Sequence, residues 1–367
     1  RRRGLLQVRS FRRVHHIPGE RNHNVSEDEA QAADLSSQVA QLRELIGGYR
    51  LTQLIYVAAK LGIADLLKDG PKLIDELADS TGANARNLYR VLRALSSRGI
   101  FAETGDGRFD LTPLAEPLQT LVPDSLSGWA IISGGEWHRA WGDLLNNVMT
   151  GETAFDKVFG MGYWEYLVQN PEADEAFNQA MTDSNAMVLA AVVAAYNFDG
   201  IETIVDIGGG QGSLIAAILN AYPTIRGVLF DQPNMIASAG SELQQEGVAG
   251  RCDLVGGDFF QDIPENGDAY VLQRIIHDWD DEHAIAILKS CRRAMAGDAK
   301  LLLVESVVPA GNEPSNSKLS DIMMMVLLDG VDRTETEFRT LLDAAGFNLT
   351  RAILTQSPMS ILEARPM

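Results

Sequence analysis

From Thr203 onward, short β-branched runs alternate with stretches of helical spacing, and that alternation leaves few folds open to the chain. We read strands at 203–207, 227–230, 253–255, 269–276 and 300–307, helices at 213–222, 235–245, 282–295 and 335–345, and two closing strands at 349–355 and 359–364. Parallel strands need crossovers, and helical crossovers cover both faces of the sheet they join. The closing pair, separated by a short turn, predicts an antiparallel edge. The fold class is therefore α/β, with a Rossmann-like second domain.

Upstream, from Leu35 to about Tyr196, apolar residues recur at helical spacing with few strand signals. Asp199-Gly200 ends this helical stretch, so the boundary falls near 197–201. Within it, a short helix around 74–78, a turn at Thr81-Gly82 and a longer helix over 84–98 precede extended pieces at 100–102 and 108–111, joined by Gly105-Asp106-Gly107. Helix, turn, helix and hairpin describe a winged helix. The organisation expected is a basic tail over 1–30, a winged-helix domain over 31–120, a helical linker and substrate-pocket segment over 121–198, and the α/β domain over 199–367.

Charge narrows the partners. Fifty acidic against 31 basic residues give a net charge of -19, which repels phosphate backbones and anionic membranes. The stretch 1–25 runs the other way, with seven arginines and one glutamate, and we set it aside as a disordered or vector-derived extension. Cys252 and Cys291 suggest neither a disulfide framework nor a zinc site, and no apolar run is long enough to span a bilayer. A soluble, cytoplasmic protein is expected.

Asp206-Ile207-Gly208-Gly209-Gly210-Gln211-Gly212 follows the first strong strand and opens a helix. Missing Cβ atoms at Gly208 and Gly210 let a ligand touch the backbone there. The spacing is acid-x-G-x-G-x-G rather than the G-x-G-x-x-G of pyrophosphate binders. It suits a nucleoside whose other end is cationic, where Asp206 matches charge better than a bare helix N-terminus does; S-adenosylmethionine is such a molecule, with S-adenosylhomocysteine as its product. Asp231, 25 residues later, ends the next strand where a carboxylate can hold ribose hydroxyls. Gly257, Asp258 and Phe259 end the third strand and offer a carboxylate and an aromatic face to adenine.

Ligands in open α/β sheets sit beyond the carboxyl ends of the strands, and the fourth strand finishes at His277. A phenol is mostly protonated at neutral pH, so an imidazole there can act as general base on a hydroxyl. Glu305, ending the fifth strand, and Asp332, on what we take as a neighbouring strand end, could each orient the ring. Asp278, Asp280, Asp281 and Glu282 are consecutive and suit a helix start better than a metal, so no metal is expected. Trp279 reads as packing, His283 as a surface residue, and Thr334 with Glu337 as a capping box. Trp137, Met181 and Met324 are candidate substrate walls among the aromatics of 129–181 and the run Met323-Met324-Met325. Leu51, Leu54, Ile55 and Ala58 form an apolar stripe that a homodimer would cover.

Together, Val205–Gly212, Phe230-Asp231-Gln232-Pro233, Gly256-Gly257-Asp258, His277-Asp278-Trp279 and Gly330-Val331-Asp332-Arg333-Thr334 resemble the plant caffeate-type and bacterial antibiotic- or phenazine-type O-methyltransferases over roughly 35–365. The resemblance implies an N-terminal winged-helix dimerisation domain and methylation of a hydroxyl on a small aromatic metabolite. It implies cofactor contacts from Gly208, Asp231, Asp258 and Phe259, with His277 as base and Glu305 and Asp332 beside it. Plant members usually carry lysine where Gln273 stands, a cofactor position, and glutamate where Asp332 stands. Some relatives methylate nitrogen or put the bound cofactor to other uses. Two rival classes are a winged-helix DNA-binding regulator, suggested by Arg86, Arg90 and Arg93 on one helix face, and a nicotinamide oxidoreductase, opposed by the glycine spacing.

Overall fold

The computed structural model describes residues 35–367, without the side chains of 182–186. The basic extension expected over 1–30 lies outside the described residues. The chain divides into two units, one reaching Leu51 and one running Thr52–Met367. In the first, a helix over 35–46 (α1) precedes the start of α2 (Gly48–Lys60), and Leu35, Val39, Leu42, Leu45, Ile46 and Tyr49 are all exposed.

The second unit opens with the end of α2, then α3 (Ile63–Leu67), β1 (Lys72–Leu73), α4 (Ile74–Thr81) and α5 (Ala85–Ser96). Asn84 begins α5 by accepting the backbone N–H of Asn87, and Leu88, Leu92 and Leu95 bury its apolar face at i, i+4 and i+7. The hairpin follows as β2 (Phe101–Glu103) and β3 (Arg108–Leu111), and β1 joins as a third strand in the order β1-β3-β2. That two-residue strand was not expected; it is too short to carry an alternating pattern.

Six helices come next: α6 (Ser127–Gly134), α7 (Glu136–Trp141), α8 (Leu144–Thr150), α9 (Ala154–Phe159), α10 (Tyr163–Gln169) and α11 (Pro171–Ala195). Their inner faces build a core of Ile132, Trp137, Phe155, Tyr163, Leu167 and Ala180, closed by Val326 and Leu327 from a later helix.

The main sheet has seven strands in the order β6-β5-β4-β7-β8-β10-β9. They are β4 (Thr203–Ile207), β5 (Arg226–Asp231), β6 (Cys252–Gly256), β7 (Ala269–Gln273), β8 (Lys300–Ser306), β9 (Phe347–Leu354) and β10 (Met359–Pro366). Strands β4 to β8 pair in parallel, and β10 runs antiparallel to both its neighbours. The closing strands form the antiparallel edge pair expected: β10 lies beside β8, and β9 takes the rim. Continuous burial over 359–364 suits an interior strand, and the more exposed β9 suits the edge.

Helices α12 (Ser213–Ala221) and α13 (Pro233–Gln245) cover one face with α11, while α14 (Asp281–Ala294) and α16 (Glu335–Ala344) cover the other. The order reverses between β4 and β7, which opens a crevice at their carboxyl ends. A further helix, α15 (Asn316–Leu327), was not expected. Its apolar residues crowd into the run 322–328, which hides the helical period. Among the described residues, no helix is long and apolar enough to cross a membrane.

Candidate active site

The turn after β4 brings the chain close to the opposite wall of the crevice. Gly208 and Gly210 have φ of 68° and 57°, in the left-handed region that side chains avoid. A Cβ on Gly208 would also lie 2.5 Å from Cδ1 of Ile275, so this backbone can pass between β4 and the end of β7 only without a side chain. Asp231 at the end of β5 pins the turn: Gly210 N–H donates to its Oδ2 at 2.8 Å and Gln232 N–H to its Oδ1 at 2.6 Å.

Asp206 is fully buried in β4, and neither carboxylate oxygen has a hydrogen-bond partner. Burial, reinforced by the charge of Asp231, pushes its pKa up to about 7. A buried carboxyl lacking a donor calls for one, and an ammonium group meets both the charge and the hydrogen-bonding need.

At the end of β6, Gly257 and Asp258 line a cavity of about 410 Å³ with Phe230, Val255, Gln261 and Ile263. Asp258 accepts from Phe260 N–H at 2.9 Å and from Gln261 Nε2 at 3.0 Å, which fixes the loop. Phe259 is half-buried and packs edge-on against Phe260 and Trp279. Gln273 is the last residue of β7 and half-buried.

Strand β7 stops at Gln273, four residues short of His277, because Arg274 turns left-handed with φ 55°. His277 lies instead in a one-turn 3₁₀ helix, Ile276–Asp278. The bend has a use. It aims the N–H groups of Ile275 and Ile276 at Oε1 of Glu305, at 3.1 and 2.8 Å, so successive amides hold a fully buried carboxylate in place. The second oxygen of Glu305 lies 3.4 Å from His277 Nδ1, and Asp332 Oδ1 lies 3.5 Å from the same nitrogen. Asp278 Oδ1 stands 3.2 Å from Nε2.

Both expected carboxylates therefore meet one ring nitrogen, and a third, not anticipated in this role, meets the other. A neutral imidazole has one N–H, so carboxylates at both nitrogens fit the protonated ring. Burial opposes that charge, but Glu305 and Asp278 outweigh it and hold the His277 pKa well above the usual imidazole value. Burial raises the Glu305 pKa in turn, partly offset by His277. Arg274, lowered by burial and drawn the other way by Glu305, Asp332 and Asp278, adds a second cation to the cluster.

Asp332 lies in the loop between α15 and α16 rather than on a strand, and its N–H donates to Asp321 Oδ1 at 3.1 Å. Gly330 in this loop presses on the carbonyl of His277, where a Cβ would collide. The remaining acids are spent locally: Asp280 caps α14 by accepting the N–H of His283, and Asp281 pairs with Arg333 at 2.8 Å. Thr334 and Glu337 form the capping box of α16. Trp137 is buried and donates its indole N–H to Tyr163 Oη at 3.0 Å. Met181 is half-buried against the same aromatic core, and Met324 is buried in α15. It is Met323, not Met324, that packs on that core.

The O-methyltransferase domain model matches residues 141–348, and the O-methyltransferase dimerisation domain model matches 43–120. The chain belongs to the O-methyltransferase family. The phenazine O-methyltransferase PhzM of Lysobacter antibioticus is 52% identical to this family member over 338 residues, 92% of this chain and 98% of the relative. A phenazine-1-carboxylate N-methyltransferase of Pseudomonas aeruginosa is 34% identical, covering 90% of this chain and 99% of its own length. The crystal structure of the O-methyltransferase NcsB1 from neocarzinostatin biosynthesis holds S-adenosylmethionine and 2-hydroxy-5-methyl naphthoic acid. It superposes with a TM-score of 0.78 at 29% identity, over 86% of this chain and 96% of that one. This methyltransferase is S-adenosylmethionine-dependent, and the orphaned Asp206 carboxylate and the bare-backbone turn at Gly208 fit that cofactor.

Proposed function

We propose that the enzyme methylates a hydroxyl group on a small, flat aromatic metabolite, of which a hydroxylated phenazine is the leading example, and that it works as a homodimer. One observation carries the reading: an imidazole between Glu305, Asp332 and Asp278 stands on the segment whose Ile275 packs against the glycine turn. Bound S-adenosylmethionine supplies an electrophilic methyl group. Asp206 would hold the cofactor's ammonium, Asp231 its ribose, and the cavity beside Asp258 its adenine. The resting ring must first give up its Nε2 proton to solvent; the substrate hydroxyl then takes the place of Asp278 at Nε2 of His277, and the neutral imidazole accepts the hydroxyl proton as the oxygen becomes a nucleophile. Glu305 and Asp332 stabilise the positive charge that this leaves on the ring.

The test is turnover of a panel of hydroxylated phenazines and simple phenols, with products located by mass spectrometry and NMR. His277→Ala should lower turnover at least about tenfold while S-adenosylhomocysteine affinity holds. Equal turnover by the variant would remove the base assignment. Nitrogen methylation is the second reading, favoured by the Pseudomonas aeruginosa relative, and a product methylated on a phenazine ring nitrogen would establish it.

A further inference from the structure

Arg333 is 1% exposed, which is unusual for an arginine, and its guanidinium is fully engaged. Nη1 donates to the carbonyls of Ile276 at 3.0 Å and Val331 at 3.2 Å. Nη2 donates to the carbonyl of Trp279 at 2.8 Å and, with Nε at 3.0 Å, to Oδ1 of Asp281. Ile276 and Trp279 flank His277-Asp278, so the planar group grips that turn at both ends. The carbonyl of Val331 belongs to the peptide leading into Asp332, so the same group fixes the loop facing the ring. Its backbone completes the connection, because Val308 N–H donates to the Arg333 carbonyl at 3.0 Å and Val307 bridges Arg333 just beyond the strand that carries Glu305.

One residue therefore touches all three segments that deliver His277, Asp332 and Glu305. We propose that Arg333 is a positioning residue for methyl transfer: its guanidinium sets the spacing between the His277 ring and its carboxylates, and through it the ring's aim and proton affinity. Lysine cannot replace it, because a single ammonium cannot span acceptors on both sides of the turn. The inference rests on the reading of His277 as the base.

Arg333→Lys and Asp281→Asn test it. Binding of S-adenosylhomocysteine, measured calorimetrically, counts the correctly folded sites. The His277 pKa follows from NMR titration of its ring signals, and turnover per competent site is measured across pH. Because Asp206, Asp231 and Asp258 are untouched, affinity should stay within about twofold. The His277 pKa should fall by about half a unit or more toward its ordinary value. Turnover should drop about tenfold in Arg333→Lys with little change in KM.

An unchanged His277 pKa together with unchanged turnover per competent site would overturn the proposal. So would a loss of turnover that merely tracks lost cofactor binding. Should Arg333→Lys fold too poorly to bind, the same readings on Asp281→Asn decide the matter, since that change removes the negative charge that strengthens two of the five hydrogen bonds. The NMR titration does not depend on what His277 does in catalysis, and full activity in His277→Ala would expose failure of the base reading separately.

Discussion

Asp206 offers the sharpest test of the cofactor site, because a buried acid without a partner leaves a thermodynamic trace. Burial lifts its pKa from the ordinary carboxylate range near 3.8 to about 7, which weighs roughly 4 kcal/mol against the charged form. The carboxyl is wholly buried, so solvent screening does not reduce that figure much. The sign follows from proton uptake. Between pH 4 and 7 the unfolded chain has lost this proton and the folded enzyme keeps it, so the stability contributed by the neutral acid is full below about pH 4, drains away as pH rises through 7, and is gone above. Asp206→Asn fixes the group in a neutral, nearly isosteric form. Subtracting wild type from variant isolates Asp206 from every other titrating group. Without cofactor, thermal unfolding should show similar stability near pH 4 and an advantage for the variant approaching 4 kcal/mol above pH 7.5. At about 1.3 °C per kcal/mol for a chain of this size, the melting temperature should differ by about 5 °C. S-adenosylhomocysteine should reverse the ranking, since its ammonium rewards the carboxylate, and wild-type affinity should weaken about tenfold per pH unit below 7. A melting difference that stays flat from pH 4 to 8.5, or an affinity indifferent to pH, would refute the reasoning.

Three further outcomes follow from the site. Because its carboxylate neighbours hold the His277 pKa well above the ordinary value, turnover should climb as pH rises past neutrality, and a rate profile already flat by pH 6.5 would contradict the protonated resting ring. Gly330→Ala should cut turnover by about tenfold or more, because its methyl group collides with the His277 carbonyl; normal kinetics would show that the loop yields easily. Thr334→Ala removes the cap of α16 and should cost about 1 kcal/mol in denaturant unfolding with turnover per folded site preserved, whereas a kinetic defect would tie the cap to the chemistry.

Strong periodic signals in the sequence mapped onto the architecture well. The alternation after Thr203 located the parallel strands, the glycine turn located the switch point, and the capping box located α16. Two kinds of information stayed hidden. Strand order depends on contacts across the sheet, so nothing in residues 359–364, where Ser360 and Glu363 interrupt the apolar residues, marks β10 rather than β9 as the neighbour of β8. The second kind is backbone geometry: no propensity puts an arginine in a left-handed conformation, so the end of β7 at Gln273 and the amide pair that captures Glu305 could not be read from the sequence. The same holds for Arg333, which the spacing marked only as a neighbour of Asp332. Its three carbonyl acceptors and its pairing with Asp281 exist only once distant segments meet.

The interior position of β10 also bears on how the protein acquires its shape. Strand β9 reaches the sheet only through β10, so it cannot dock on β8 ahead of its partner. Nucleating the two as a local ribbon is the cheap route, because the turn between them closes a short loop whereas pairing with β8 closes a much longer one. The tight web at that turn, where Thr355 Oγ1 donates to the Met359 carbonyl at 2.6 Å, thereby governs when a distant sheet is completed. Loosening it should slow refolding more than it weakens the finished enzyme.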